Sequence, residues 1–194
     1  MSKAASTRDL IIRKSFDLIY QKGYQSTSID DIISTTNVTK GAFFYHFKNK
    51  EQMGLGLISE LLYPNLYNRM VSPLKESTDP AKDIYAMMES LLNDTLFFNV
   101  SHGCPAINLI DEMAPVNESF RKALAKLTLA WHNAIASCIK RAQQAGKIST
   151  KESPEQVAVM VISGYSGIRM LGKVMGRGVY QTYLTSLKGY LSSL

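Results

Sequence analysis

The sequence predicts an all-α protein of about nine helices, with a small N-terminal domain of three helices and a larger helical domain behind it. Two observations favour this fold class. Apolar residues recur at helical spacing along most of the 194 residues, with no series of alternating residues that indicates strands. Capping residues, prolines at first helical positions and terminal glycines also divide the chain into helix-sized segments. A hydrophobic content of 45% is enough for a sizeable core.

The first helices lie at the N-terminal end. Residues 7–21 place apolar side chains on one wide face, and Gly23 follows the last turn, where a left-handed residue is favoured. Ser28 is suited to cap a short helix of about residues 29–35, with Asp31 completing a capping box. Asn37 tolerates a positive φ better than most residues, so we expect it to form the following turn.

A third helix is predicted over residues 40–46. Asn49 then caps a fourth, which we expect to kink or pause near Pro64 because proline cannot donate a helical hydrogen bond. The fourth helix therefore begins close to a domain boundary, and we predict domains at residues 1–53 and 54–194.

The second domain is predicted to contain five longer helices. Asp79-Pro80 and Ser153-Pro154 are both a cap followed by proline at the first helical position. Asn117 begins a long helix that Gly146 ends. The last two helices, of about residues 155–175 and 179–194, are expected to form a four-helix interface in a twofold dimer, because the stripe of the last helix is too apolar to face water in a monomer. The expected interface residues are Gly164, Tyr180, Leu184, Leu187 and Leu191.

Charge is unevenly distributed. The first fifty residues hold +4 of the net charge of +6, which indicates a polyanionic partner unless this end is simply a solvated surface. No signal peptide is predicted, and the longest charge-free run, residues 95–110, is too short for a membrane span. Two cysteines cannot form a disulfide framework or a four-thiolate zinc site. We therefore expect a cytoplasmic protein without cofactor or metal.

Two short helices joined by a tight turn, with basic residues following, form the helix-turn-helix pattern of DNA-binding proteins. The second helix must be thin enough to enter the major groove and polar in its first turn. Lys40 has two open interpretations, a contact to a base edge or to a phosphate only. The predicted DNA-binding set is Ser28, Thr39, Lys40, Gly41, Tyr45, His46, Lys48 and Lys50.

This region resembles the TetR family of bacterial transcriptional regulators. The match runs through Gly23-Tyr24, Thr27-Ser28-Ile29, Asp31-Ile32 and the segment from Asn37 to Glu51. One departure is Phe44, where the family often has a tyrosine that donates to phosphate. The resemblance implies a homodimeric repressor that is released from a palindromic operator in double-stranded DNA by a small-molecule effector. It also implies that His46 contacts a phosphate.

The resemblance further implies an effector pocket in the second domain. Its lining is expected to be rich in aromatic side chains and to include a few polar groups. The expected ligand-binding residues are Tyr85, Met88, Phe98, Cys104, Asn108, Trp131 and Tyr165. Cys104 and Asn108 belong to a Gly-Cys-x-x-x-Asn stretch, followed by Glu112, that is similar to one subset of the family.

Cys104 leaves two interpretations open. It precedes a proline at a predicted helix start, where the helix field would favour a reactive thiolate, but a buried cysteine can equally be a small apolar side chain. Two rival functions are a helical enzyme or carrier, and a pure interaction protein. The sequence has no Ser-His-Asp constellation, phosphate-binding glycine loop or metal-ligand spacing, so we expect no enzyme.

Overall fold

The computed structural model describes residues 3–194, and these form nine helices and no strands, which confirms the predicted fold class. The fourth helix, α4, is made of an α-helical stretch Lys50–Leu57, a π-helical turn Ile58–Leu62 and a second α-helical stretch Tyr63–Met70. A short 3₁₀ turn, Ser72–Leu74, follows it. The remaining helices are α1 (Lys3–Lys22), α2 (Ile29–Ser34), α3 (Lys40–His46), α5 (Pro80–Asn93), α6 (Pro105–Met113), α7 (Glu118–Gln144), α8 (Pro154–Met175) and α9 (Gly178–Ser192).

Local capping sets most of the helix starts. Ser28 and Ser153 each form a full capping box, with Asp31 and Gln156 respectively. Asn49 and Asp79 accept from backbone N–H groups three residues on, as the sequence predicts. Each such cap satisfies N–H groups that have no partner inside the helix, and is typically worth about 1 kcal/mol.

One local prediction is wrong. Asn37 does not take a positive φ; the only described residues that do are glycines. Instead, the Thr36 hydroxyl donates to the Ile33 carbonyl and accepts from the Val38 N–H, so side-chain hydrogen bonds close the turn. The regular fourth helix is interrupted near Pro64, as the sequence predicts: a π-helical turn just before the proline accommodates its missing donor, and the helix then continues to Met70.

The chain divides into two compact units. The first, unit 1, takes in the chain up to Pro64 together with Pro105–Ala125; the second, unit 2, comprises Asn65–Cys104 and Lys126–Leu194. In unit 1, α1 packs against α2 and α4, and α2 packs against α3. Phe43 and Phe47 are fully buried in its core, with Ile32 and Ile19 also buried. The predicted domain boundary at residue 53 stays a prediction.

In unit 2, α9 packs against α5 and α8. This packing overturns the argument that the α9 stripe must be covered by a second copy. Tyr180, Leu184, Leu187 and Leu191 are each 5% exposed or less within the single chain, because they form the core of unit 2. Gly164 likewise serves packing within the chain, since a Cβ there would lie 2.5 Å from the Tyr183 hydroxyl.

Helix α8 carries a row of exposed apolar side chains. Its large exposed side chains follow a helical repeat, and Gly167 has open space around it. Helix α8 is also the one described helix that is long and apolar enough to cross a membrane by length and composition, a test that core helices of soluble proteins also pass. The exposed apolar residues of α8 are Val159, Met160, Met170, Leu171, Val174 and Met175.

Candidate functional site

Helix α3 is a short helix with two different faces. One face buries Phe43, whose neighbour in the core is Phe47 just after the helix. The opposite face exposes Lys40, Gly41 and Tyr45, and Tyr45 is 79% exposed. This separation fixes which side chains face solvent, so the polar and aromatic groups of α3 are presented together on one surface.

The N-terminal ends of α2 and α3 are closed by hydroxyl caps. The Ser28 Oγ accepts from the Asp31 N–H at 3.0 Å, and the Thr39 Oγ1 accepts from the Ala42 N–H at 3.2 Å. In both contacts the hydroxyl oxygen is the acceptor, so its proton is left to donate elsewhere. Both predicted residues can therefore cap a helix and donate to an anion.

The basic side chains of this surface differ in how far they are engaged. Lys40 forms an exposed ion pair with Asp30, with 2.9 Å between Nζ and Oδ1. Lys48 is exposed. Lys50 is half-buried: its Nζ lies 4.4 Å from the centre of the Tyr24 ring and 3.3 Å from the Gln25 carbonyl oxygen, and burial lowers its pKa. Lys50 is thus packed against an aromatic ring, whereas Lys40 and Lys48 are exposed.

Arg8 fixes the C-terminal end of α3, a contact that the sequence analysis missed. Its Nη1 donates to the His46 carbonyl at 3.0 Å, its guanidinium lies 4.3 Å from the centre of the Phe47 ring, and its Nε donates to Glu60 at 3.0 Å. No local sequence pattern indicates this contact, because the partners are 38 and 52 positions away. His46 therefore lies on a helix end held from inside unit 1.

The expected ligand-binding residues are only partly brought together. The Trp131 ring meets the Tyr165 ring edge-on at 5.3 Å, and its Nε1 lies 3.4 Å from the Met87 sulfur. Phe98 and Tyr165 both lie against the guanidinium of Arg169, and Cys104 is near enough to affect the pKa of Tyr165. Together these residues form an aromatic cluster in unit 2.

The three other expected ligand-binding residues differ in burial and surroundings. Tyr85 is only half-buried, and its hydroxyl donates to Glu89 on the same helix. Met88 is fully buried in the core. Asn108 belongs to unit 1, where it borders a small crevice with Phe16. The assignment of these residues to a ligand pocket stays a prediction.

The cysteines are free and buried. Cys104 is 1% exposed, so a reagent would reach its thiol only after a local opening. Burial raises the pKa of the Cys138 thiol to about 11, and its Sγ donates to the Ile135 carbonyl. Among residues 3–194, no group of three or more His, Cys, Asp or Glu side chains could hold a metal ion.

One cavity of unit 2 includes an expected ligand-binding residue, Phe98, but most of its lining was not predicted. It has a volume of about 210 Å³ and is bordered by Phe98, Arg169, Arg177 and Tyr180, with the segment around residues 94–100. The sequence feature that could have indicated this cavity is Arg169, the single arginine of the largely apolar helix α8. Tyr180 was expected at a dimer interface and instead lines this cavity.

A short exposed helix that follows a tight turn and is held by a small aromatic core defines the helix-turn-helix class of DNA-binding proteins. The comparisons with known proteins agree. Residues 11–55 match the family model of "Bacterial regulatory proteins, tetR family", and residues 80–185 match that of the "Tetracyclin repressor-like, C-terminal domain". The chain belongs to the TetR family and is a helix-turn-helix transcriptional regulator.

Individual relatives show the same class. The chain is 27% identical to the transcriptional regulator AcuR of Cereibacter sphaeroides over 173 residues, which cover 88% of this chain and 78% of AcuR. It is 32% identical to an uncharacterized HTH-type transcriptional regulator in the lacX 3′ region of Lactococcus lactis, over 63% of this chain. That match spans 62% of the Lactococcus regulator, less than two thirds of its length.

The fold is shared with solved structures as well. A TetR-family regulator from Cytophaga hutchinsonii superposes with a TM-score of 0.86 at 22% identity, covering 100% of this chain and 97% of that one. At this identity the likeness establishes the fold alone.

Proposed function

We propose that this chain is a repressor that binds double-stranded operator DNA as a homodimer and is released by a small-molecule effector. The main supporting observation is the two-faced α3, which buries Phe43 and presents Lys40, Gly41 and Tyr45 to solvent. A helix of this kind, placed in the major groove, contacts base edges with its N-terminal residues.

The roles of the predicted DNA-binding residues divide by chemistry. Lys40 lies in the first turn of α3, and its ammonium would exchange Asp30 for guanine acceptors or a phosphate. Ser28, Thr39, His46 and Lys48 would contact phosphates, which set the register without reading sequence. Lys50, held by Tyr24 and Gln25, would add a weaker phosphate contact.

The homodimer would form through α8. Val159, Met160, Met170 and Val174 lie at helical spacing on one exposed side, and each is at least half exposed in the single chain. Packing this face against its symmetry mate would bury the apolar stripe, and Gly167 would allow close approach of the two backbones. A dimer presents two α3 helices, so a palindromic operator is expected.

Effector binding in unit 2 would shift the dimer between two arrangements. Only the arrangement with the correct α3 spacing fits the operator, so a ligand that favours the other lowers DNA affinity. The protein would act in the cytoplasm and have no enzymatic activity of its own, as expected for a regulator of this family.

The experiment that tests this function uses DNA flanking the protein's own coding region. Purified protein is added to overlapping duplex fragments, and footprinting locates any protected site. We expect one protected palindrome with strongly salt-dependent affinity, because phosphate contacts release counterions. Absence of any duplex binding at low salt would favour the rival carrier or interaction protein.

A further inference from the structure

Arg169 is a buried cation without a carboxylate partner. The residue is 2% exposed, and no ion pair among the described residues includes it. One nitrogen, Nη2, donates to the Leu91 carbonyl at 2.6 Å, while Nε has no hydrogen-bond partner. A buried charge is costly unless its donors are satisfied.

The groups around Arg169 supply further donors. Its guanidinium carbon lies 4.1 Å from the centre of the Phe98 ring, 5.1 Å from that of Tyr165 and 5.7 Å from that of Tyr180. These ring faces stabilise the cation but give Nε no acceptor. The hydroxyls of Tyr165 and Tyr180 are also buried without a partner. The Arg169 Nε, which is part of the cation, and the two tyrosine hydroxyls are thus three buried donors without an acceptor.

The cavity next to Arg169 accommodates a small molecule. Its volume is about 210 Å³ and its lining is mostly apolar. A dry protein cavity of about 150 Å³ holds benzene, so this cavity has room for a carboxylate with one ring or a short hydrocarbon chain. Phe98 and Leu92 line its apolar part, and Arg169 and Tyr180 its polar part.

The one acidic side chain bordering the cavity is already neutralised. The Asp94 carboxylate accepts from the Arg69 Nε at 2.9 Å and from the backbone N–H groups of Leu96 and Phe97 at 3.0 Å. Arg177 adds a second cation to the lining and donates to the Asn93 side chain at 3.3 Å. The cavity therefore favours an anion.

We infer that the effector is a small monocarboxylate, whose carboxylate accepts from the Arg169 Nε and whose apolar part fills the cavity beside Phe98. This names the chemical class of the effector and rests on the proposed function. Tyr180 also lines the cavity, and its hydroxyl has no hydrogen-bond partner. The alternative is that Arg169 only holds the last turn of α5 through the Leu91 carbonyl.

Trp131, the chain's one tryptophan, reports on this cavity without DNA, because its ring contacts Tyr165, which lies against Arg169. Butyrate, hexanoate and benzoate are titrated with fluorescence detection, and each is paired with its neutral amide. We expect a saturable change with at least one carboxylate, and binding of its amide weaker by about tenfold or more, the loss expected for a charge-assisted hydrogen bond. No change with any of the three up to about 10 mM, or equal binding of an amide, would overturn the inference.

The variant Arg169→Met removes the charge and retains a similar apolar length, and Arg121→Met is the matched control on an exposed arginine of unit 1. We expect carboxylate binding to be lost only in Arg169→Met, with circular dichroism unchanged in both. If Arg169→Met fails to fold, Arg169→Lys keeps the charge but lacks the Nε donor, and weaker carboxylate binding is expected. Wild-type binding in whichever of the two variants folds would leave only the structural role.

The two proposals fail separately. Operator binding that persists without carboxylate binding would overturn this inference and leave the repressor proposal intact. Carboxylate binding without any duplex DNA binding would overturn the repressor proposal and leave the cavity assignment intact.

Discussion

The carboxylate of Glu112 accepts a hydrogen bond from the backbone N–H of Tyr24, with 2.8 Å between the two atoms. Its other oxygen accepts from the Gln25 N–H at 2.7 Å. Gly23, just before, has a φ of +90°, and a Cβ there would lie 3.2 Å from the same carboxylate. The link between α1 and α2 is therefore held by a residue of α6 that is 88 positions away in the chain.

Replacing Glu112 by Gln removes the charge from both hydrogen bonds and leaves one acceptor. We expect the free energy of unfolding to fall by about 1–2 kcal/mol, because hydrogen bonds to charged groups are stronger than those between neutral groups. Urea unfolding measures the change, with Asp111→Asn, an exposed neighbour on α6, as the control. Equal stability of the two variants would show that Glu112 does not stabilise the fold through these hydrogen bonds.

Alanine substitutions at two glycines of unit 1 are expected to affect different properties, one the stability of the fold and the other DNA binding. A Cβ at Gly41 would meet nothing nearer than the Thr39 hydroxyl at 4.0 Å, whereas at Gly54 it would lie 2.6 Å from the Phe120 ring. We expect Gly54→Ala to lower the unfolding free energy by about 1–3 kcal/mol through overpacking.

The partner variant, Gly41→Ala, is expected to leave stability unchanged or raise it by up to about 1 kcal/mol, and to weaken operator binding. Thermal unfolding and a gel-shift titration on the same samples give both values. Unchanged operator affinity in Gly41→Ala would place this residue outside the DNA interface.

The proposed dimer face predicts two different outcomes for charged substitutions. Val174 is 83% exposed, so Val174→Glu is expected to give folded monomers by placing a charge in the interface. Leu184 is 2% exposed within the chain, so Leu184→Glu is expected to unfold unit 2 instead. Sedimentation velocity and circular dichroism distinguish these states. A folded dimer of Val174→Glu would exclude this part of α8 from the interface.

The capping box of α2 predicts a pH dependence. The pKa of Asp31 is below its ordinary value. The hydrogen bond from the Ser28 backbone N–H is the largest cause, and the hydrogen bond from the Lys22 side chain is the second. The ionised Asp31 carboxylate therefore stabilises the folded protein at pH values above the ordinary carboxyl pKa. This stabilisation is lost as the pH falls below that pKa and the carboxylate is protonated. Asp31→Asn is expected to lose stability at neutral pH and to show a weaker acid dependence than Asp17→Asn, in chemical unfolding at a series of pH values. An identical acid dependence in both variants would contradict the assignment.

Helix starts could be predicted from the sequence because caps are local. Ser28, Asn49, Asp79 and Ser153 each accept from an N–H three residues away. The same locality explains the failure at Asn37: its tolerance of a positive φ indicated a turn, but the neighbouring Thr36 hydroxyl closed that turn by another route. A tolerated conformation is a weaker predictor than a donor–acceptor pair at fixed spacing.

Long-range packing could not be predicted in this way. The α9 stripe was correctly recognised as apolar, but periodicity does not say whether Leu184 is covered by its own chain or by a second one. The Arg169 contacts join α8 to a carbonyl 78 positions away, and no spacing in the sequence indicates that pairing. The resemblance to the TetR family predicted that a pocket exists but did not predict which residues line it.

The central claim, that α3 binds duplex DNA, is tested most directly by the salt dependence of duplex binding in wild-type protein, Lys48→Ala and Lys122→Ala. Lys48 is exposed just after α3, and Lys122 is exposed on α7 with its charge near Glu118. The account predicts that Lys48→Ala weakens binding to all sequences and lowers the slope of log affinity against log salt by about one per subunit, while Lys122→Ala matches wild type. Equal slopes in all three proteins, or an affinity independent of salt, would contradict it.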